Sequence, residues 1–584
     1  MTNLNRELDN LLEKYHFKNT NSSLNINLII RDALNEFKNS VTEMAIWANG
    51  THTKMLMSDF MNELKSVRWI IDKSCAGEKD SGFKIIRPDE ILDKGIDGVI
   101  ISSYDYHNEI KNSLINDFKN VKYLDIYDML QEKGILMEEA YYHVFHPYGK
   151  YNKINKLIRE CKSLKDVEEQ ENVVLSIVNQ LLLIKDLRTA LLWVRKLKKY
   201  SDKDALEADI AALYKKELQQ IEKISKDNVL MLCLDGMRRN DIYNEMENLS
   251  TWIKGNTHYY TNAYSVSTST YESLIPAYSE NCDMRTKYYE QLTIPEENCR
   301  FISEVKKQKR SCYFYTDSDR YVDSDIIHYV SSFQTATEKI WSFVNDAKDI
   351  IHGLFYLHIL YESHYSYPNP YTEEKLVADG SSIMFDFLSG KGGKLRTDYE
   401  KQHKDTLNYL EDILMDFLPA INCNMVIYAD HGNILMNAND TLENLEDTKY
   451  SYHEDLIQIP IILKTPEMKI GRDDQLISLM ELNNIVIAML NNQSFDYQPK
   501  KWIKTQRSAI YNPDFRYLYT KNGKEQELYA FETFVFEDRY KLAVYENGMK
   551  ELYSVETDEK VQDDIQIENH YQMIQSEITL GDIQ

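Results

Sequence analysis

The stretch Asn424–Gly432, NMVIYADHG, constrains this chain more than any other. Its apolar and aromatic run from Met425 to Tyr428 reads as a buried strand, which Ala429-Asp430-His431-Gly432 breaks off abruptly. A carboxylate and an imidazole side by side at the end of a core strand are costly to bury unless something pairs with them. A divalent cation suits both, because carboxylate oxygen and imidazole nitrogen are ligands for zinc or manganese. Taken alone, the turn is equally a loop with an aspartate helix cap and a surface histidine.

A second apolar run, Val229–Leu234, stops on Asp235. A carboxylate at the C-terminal edge of a strand lies where open α/β sheets place their sites. Further on, NAYSVSTSTYESLIP carries a cluster of hydroxyls at Ser267, Thr268, Ser269, Thr270 and Ser273 ahead of an expected helix. A helix start needs one hydroxyl as its cap, so the cluster exceeds what capping requires. A hydroxyl held against a metal loses its proton more easily, and a helix N-terminus stabilises the anion it attacks. GLFYLHILYESHYSYPNPY then reads as a strand running into a loop, with His358 and His364, and SYHEDLIQIPIILKTP sets His453 before another buried strand. Single histidines are usually surface or core residues, but here three stand beside strand ends.

At 584 residues the chain is too long for one core, and two to four domains are expected. A net charge of −25 argues against a nucleic-acid partner, which would need clustered Lys and Arg. The opening MTNLNRELDNLLEKYHF has no signal-peptide core, and no run reaches transmembrane length. Cysteines 75, 161, 233, 282, 299, 312 and 423 are odd in number and lack paired metal spacing, which fits reduced thiols and a cytoplasmic location.

Residues 1–40 read as two amphipathic helices, the first with Leu4, Leu8, Leu11 and Leu12 on one face. From 41 to 136, the segments MAIWANG, VRWIIDKS, GVIISS and VKYLDIY are expected strands with helical stretches between them, which implies a parallel, Rossmann-like sheet. Gly50 in the first turn and Asp72 after the second strand stand where such folds bind a nucleotide or sugar nucleotide, but the remaining glycines of the fingerprint are missing. A purely structural or regulatory domain is the competing reading. The segment resembles the small Rossmann-like domains attached to bacterial sugar-modifying acyltransferases and C-methyltransferases. Residues 137–225 carry helical spacing throughout and are expected to form a connector.

Asp235, a hydroxyl segment before a helix, a strand-loop histidine, Asp430-His431-Gly432, and His453 followed by I-P-I-I-L come in an order that resembles the sulfatase branch of the alkaline phosphatase superfamily. The expected fold is α/β: an alkaline phosphatase/sulfatase-like mixed sheet flanked by helices over 226–510, completed by a C-terminal hairpin subdomain at 511–584. KEQELYAF and RYKLAVYENGMKELYSVETDEKVQDDI resemble the terminal hairpin region of that family. The C-x-P-S-R of formylglycine sulfatases is absent. Thr268-Ser-Thr270-Tyr-Glu-Ser273 is similar to the T-x-T-x-x-S of phosphoethanolamine transferases and close to the threonine segment of lipoteichoic acid synthases, and YESHYSYPNPY is similar to their histidine loops.

That resemblance implies Thr268 as the nucleophile, with Ser267 and Ser269 open as alternatives. It implies one divalent ion (Zn, Mn, Mg or Ca) held by Asp235, Thr268, Asp430 and His431. His364 and His453 would bind phosphoryl oxygens or handle the leaving-group proton, with Arg238, His358 and Thr270 near the substrate; Arg238 is equally read as a solvated helix charge. The expected function is phosphoester transfer or hydrolysis, with a small molecule or a glycan precursor as substrate. A sulfatase or phosphodiesterase acting on a soluble substrate, and a non-catalytic scaffold that retains the fold, are the alternatives. The transferases it resembles are membrane-anchored, so a water-soluble donor is expected here.

Overall fold

The computed structural model describes residues 4–580, apart from 18–22, 51, 54–55, 58–59, 61–62, 74–78, 81–82, 104–105, 133–146, 282–292, 318–319, 331–333, 365–366, 372–394, 434–451, 467, 511–515, 517–519, 521–522, 524 and 558. Cys75 and Cys282 lie outside the described residues; the other five cysteines are free thiols. The chain divides into two compact units, the first built on Met1–Ala211 and the second on most of the remainder.

In the first unit, helix Leu4–Lys14 buries Leu4, Leu8, Leu11 and Leu12, the face expected from their spacing. Strands β1 (Met44–Trp47), β2 (Trp69–Ile71), β3 (Lys79–Asp80), β4 (Phe83–Ile86), β5 (Gly98–Ile101) and β6 (Lys122–Asp125) form one sheet in the order β3-β4-β2-β1-β5-β6. All its pairings are parallel except β3 with β4. Both faces are covered. Met44, Ile46 and Ile100 pack with Ile30, Leu34 and Phe37 of helix Ser23–Ser40, whereas Ala45, Trp47, Val99 and Ile101 pack with Ile110 and Leu114 of helix His107–Asp117. This alternation is the period of two that a strand imposes when both its faces are buried. The expectation of helix between Asp72 and Gly98 is corrected, because the ribbon β3–β4 occupies it. Phe83-Lys84-Ile85-Ile86 is too short a run to be told from a helix segment by periodicity.

The second unit contains β7 (Val229–Leu234), β8 (His258–Tyr264), β9 (Ile294–Pro295), β10 (Ser311–Tyr315), β11 (Val322–Asp323), β12 (Ile327–Tyr329), β13 (Gly353–Ile359), β14 (Asn424–Tyr428), β15 (Ile461–Lys464) and β16 (Gly471–Ser478). Eight of them form a mixed sheet, β12-β10-β13-β7-β14-β15-β8-β16, in which β15 alone runs against its neighbours. Every residue of β7, β13 and β14 is buried, as expected for central strands covered on both faces. Helix Ala336–Ala347 packs on β13 and on helix Leu395–Phe417, while helices Thr270–Ser279, Arg300–Lys307 and Leu482–Leu490 form a second group. Register places Cys233 beside both His358 and Tyr428, so β7, β13 and β14 end at one edge. Among the described residues, no helix is long and apolar enough to cross a membrane.

An antiparallel sheet, β17 (Trp502–Arg507), β18 (Phe531–Phe536), β19 (Tyr540–Tyr545) and β20 (Lys550–Ser554), closes the unit. It grips two segments near the edge just described. Gln506 N–H donates to Val266 O at 2.8 Å, and Thr505 Oγ1 donates to Ser265 O at 2.8 Å. Lys541, fully buried, donates to both oxygens of Glu454 at 2.5 and 2.6 Å, and the Tyr452 hydroxyl reaches Glu551 at 2.6 Å.

Removing one partner of such a pair strands a buried charge. Lys541→Met is expected to lower the unfolding free energy by about 3 kcal/mol in denaturant titration, with part of the loss recovered in the Lys541→Met/Glu454→Gln double variant. A single variant as stable as the parent would show that the pair carries no such energy.

Candidate active site

Asp235 follows β7 and Asp430 follows β14, and both are completely buried. The Asp430 Oδ1 accepts from Gly236 N–H at 3.0 Å, and the Asp235 Oδ2 accepts from the Thr270 hydroxyl at 3.2 Å with His358 Nε2 at 2.9 Å. That leaves Asp235 Oδ1 and Asp430 Oδ2 buried with no hydrogen-bond partner among the described residues. A buried acceptor left unsatisfied costs about 1–3 kcal/mol, and more when it is charged.

His431 faces both carboxylates: its Nε2 lies 3.7 Å from Asp235 Oδ1, 3.5 Å from Asp430 Oδ2 and 3.4 Å from Thr270 Oγ1. Its Nδ1 sits 2.7 Å from Gly432 O, a pure acceptor, so in the neutral ring Nδ1 carries the hydrogen and Nε2 presents its lone pair. Both orphaned oxygens and the Thr270 hydroxyl lie within 3.7 Å of the His431 lone pair, and the trios Asp235, His364, His431 and Asp235, His358, Asp430 each bring ligand atoms close enough to share an ion, so the donor set fits a divalent cation. Burial alone would raise the Asp235 pKa, but the His358 hydrogen bond and the nearby His364 and His431 hold it well below the carboxylate range. For His431, burial opposes the charge, and Asp430 and Asp235 outweigh it and raise the pKa.

Two glycines make this approach of segments feasible. A Cβ on Gly432 would stand 2.0 Å from Asp455 O, and Gly432 N–H donates to Leu456 O at 2.7 Å, which docks the Asp-His-Gly turn on helix Glu454–Ile457. Gly236 has φ +65°, and a Cβ there would stand 2.5 Å from Asn433 Nδ2 and 2.9 Å from His364 Cδ2.

The hydroxyl that reaches this group is Thr270, the first residue of helix Thr270–Ser279, where Thr268 was the expectation. Because β17 holds the chain at Ser265–Ser267, Ser267 is buried with its hydroxyl on Glu272 at 2.8 Å, and the helix starts beyond Thr268. Ser269 is the exposed N-cap residue, and Ser273 donates to Asp430 O at 2.5 Å.

His364, in the loop after β13, places Nε2 3.8 Å from Asp235 Oδ1 and remains partly exposed. His453 caps helix Glu454–Ile457 by accepting Asp455 N–H on Nδ1 at 3.1 Å, so its hydrogen lies on Nε2. His358, expected near substrate, is instead buried within β13, with Nδ1 3.3 Å from the Tyr321 hydroxyl. The Arg238 guanidinium is not a solvated charge. Its Nε and Nη2 donate to buried Asp241, and Nη1 lies 3.9 Å from Asp455. Burial pushes the Asp241 pKa up, but His403 and Arg238 pull it down to about 2. His403 also stacks edge-on against Tyr367, whose N–H donates to His364 O at 2.8 Å. Nothing in the spacing of Asp241, Tyr367 and His403 marked them beforehand, since they meet only through tertiary packing.

In the first unit, Asp72 accepts Asn49 N–H at 3.0 Å, which closes the first turn, and Gly50 is exposed. A further group there, His107, Asp125 and Asp128, also has metal-ligand chemistry. Asp125 already accepts from Tyr127 and Asp128 N–H and pairs with His107 at 3.0 Å, and Lys111 pairs with Asp128.

Residues 41–138 match the family model described as C2185-like, N-terminal. No curated protein matches the chain. Similar solved structures include a phosphonate monoester hydrolase from Silicibacter pomeroyi, at 11% identity and TM-score 0.42, covering 60% of this chain and 94% of that one. A 2-O GAG sulfatase matches at 12% identity and TM-score 0.40, covering 60% and 90%. The C-terminal periplasmic domain of EcEptC from Escherichia coli, in complex with Zn, matches at 14% identity and TM-score 0.34, covering 47% and 88%. At these identities the chemistry must be argued from the residues themselves.

Gly236→Ala is expected to lower the unfolding free energy by roughly 1–3 kcal/mol, because the strained φ and the contact with Asn433 cannot both be relieved. Denaturant titration checks this; an alanine variant as stable as the parent would mean that Asn433 and His364 retreat freely.

Proposed function

We propose that this chain is a metal-dependent enzyme of the sulfatase-like class that transfers or hydrolyses a phosphate ester through Thr270. One observation carries the reading: the orphaned oxygens of Asp235 and Asp430 and the hydroxyl of Thr270, the first residue of a helix, all lie within 3.7 Å of His431 Nε2. Asp235, Asp430, His431 and Thr270 would hold one divalent ion. Bound there, it would lower the pKa of the Thr270 hydroxyl and neutralise charge on the ester oxygens.

In the first step Thr270 Oγ1 attacks phosphorus in line. The bond from phosphorus to the leaving oxygen breaks, the alcohol departs with a proton, and a phosphothreonine remains. In the second step the hydroxyl of an acceptor, or water, attacks that phosphothreonine and restores Thr270. His453, with its hydrogen fixed on Nε2 by the capping bond, is a hydrogen-bond donor to the phosphoryl oxygens. His364, partly exposed beside Asp235, exchanges the leaving and incoming protons. A threonine hydroxyl where formylglycine sulfatases carry a cysteine favours phosphorus over sulfur. We place the reaction in the cytoplasm, on a water-soluble donor and a glycan precursor.

Three measurements test this. Metal analysis of the purified chain should find one divalent ion, lost in Asp430→Ala. With an aryl phosphodiester, Thr270→Ala should abolish turnover and Thr268→Ala should leave it within a few-fold of the parent; the reverse order would return the nucleophile to Thr268. His364→Ala should reduce turnover by about 100-fold or more, the usual scale of lost general acid–base catalysis. Hydrolysis of an aryl sulfate at a higher rate than the phosphodiester would overturn the choice of phosphorus.

A further inference from the structure

His358 is fully enclosed in β13, too deep to meet a substrate, yet both its ring nitrogens are engaged. Nε2 lies 2.9 Å from Asp235 Oδ2, and a carboxylate only accepts, so Nε2 carries the hydrogen. Nδ1 of the neutral ring is then the acceptor for the Tyr321 hydroxyl at 3.3 Å. The ring is further fixed by Tyr356, stacked at 5.8 Å and 21°, and its own backbone carbonyl is held by the buried Lys339 ammonium. Asp235 therefore has one oxygen occupied by His358 and Thr270 while the other, Oδ1, accepts no hydrogen bond from the described residues and faces His431 and His364.

We infer that Tyr321 and His358 form a two-residue positioning chain that sets the rotation of the Asp235 carboxylate, reserving Oδ1 for a cation. Without the N–H on Oδ2, the carboxylate is free to turn and its bare oxygen is no longer presented to the other ligands. The effect is that of an outer-shell partner on a metal ligand, whose loss commonly weakens metal binding 10- to 100-fold. The inference rests on the ion site proposed above.

The test is the Zn²⁺ affinity of the metal-stripped full-length chain, measured by competition with a chromogenic chelator. His358→Met should weaken binding 10- to 100-fold. His358→Gln, which restores an N–H donor, should recover most of that loss, and Tyr321→Phe should cost a few-fold. Recovery by glutamine distinguishes positioning from mere packing, which methionine would satisfy equally well. If His358→Met does not fold, the glutamine and Tyr321→Phe variants carry the comparison. Parental affinity in His358→Met, or equal weakening in the methionine and glutamine variants, overturns the positioning chain, provided Asp235→Asn still loses the ion. Parental affinity in Asp235→Asn would instead remove the ion site itself.

Discussion

Two aspartates at the ends of neighbouring core strands, each with one buried oxygen that no described residue hydrogen-bonds, are the constraint on which the second unit depends. A fold tolerates such groups only if something else completes them, because the alternative is charge left in a low-dielectric interior. Much nearby architecture answers that demand. Gly236 and Gly432 let backbone segments approach where any side chain would collide, Ser273 fastens the Asp430 backbone, and His358 shares Oδ2 of Asp235 with Thr270.

The centre is held from outside the central sheet as well. The C-terminal sheet binds the segment before Thr270 through β17 and the segment beside His453 through Lys541 and Glu551. Helix Leu395–Phe417 contributes His403, which joins the Arg238–Asp241 pair to Tyr367 in the loop that carries His364. Residues far apart in the chain thus determine where each reactive group stands. This matters for chemistry in which a misplacement of about 1 Å can cost two orders of magnitude in rate.

Legibility in the sequence followed locality. Strand ends at Asp235 and Asp430-His431 were readable because a continuous apolar run broken by a charge is a local signal. The choice among Ser267, Thr268, Ser269 and Thr270 was not, since it turns on where β17 pins the incoming chain and hence where the helix begins. Arg238 could be read as a solvated charge or a substrate ligand; its commitment to Asp241 emerged only with the fold. In the first unit the doubly covered sheet was legible from its apolar strands, whereas the β3–β4 ribbon was too short to declare itself.

The sequence by itself therefore determined the class of architecture, the carboxylate and imidazole groups at strand ends, and the presence of a hydroxyl-rich helix start. All of these are properties of a few adjacent residues and the period their packing imposes. Only the tertiary structure decided that Thr270 is the hydroxyl beside Asp235, that His358 lies behind that carboxylate instead of before a substrate, and that Tyr321 stands behind His358. Those outcomes depend on register between distant strands, and register is set by the packed whole.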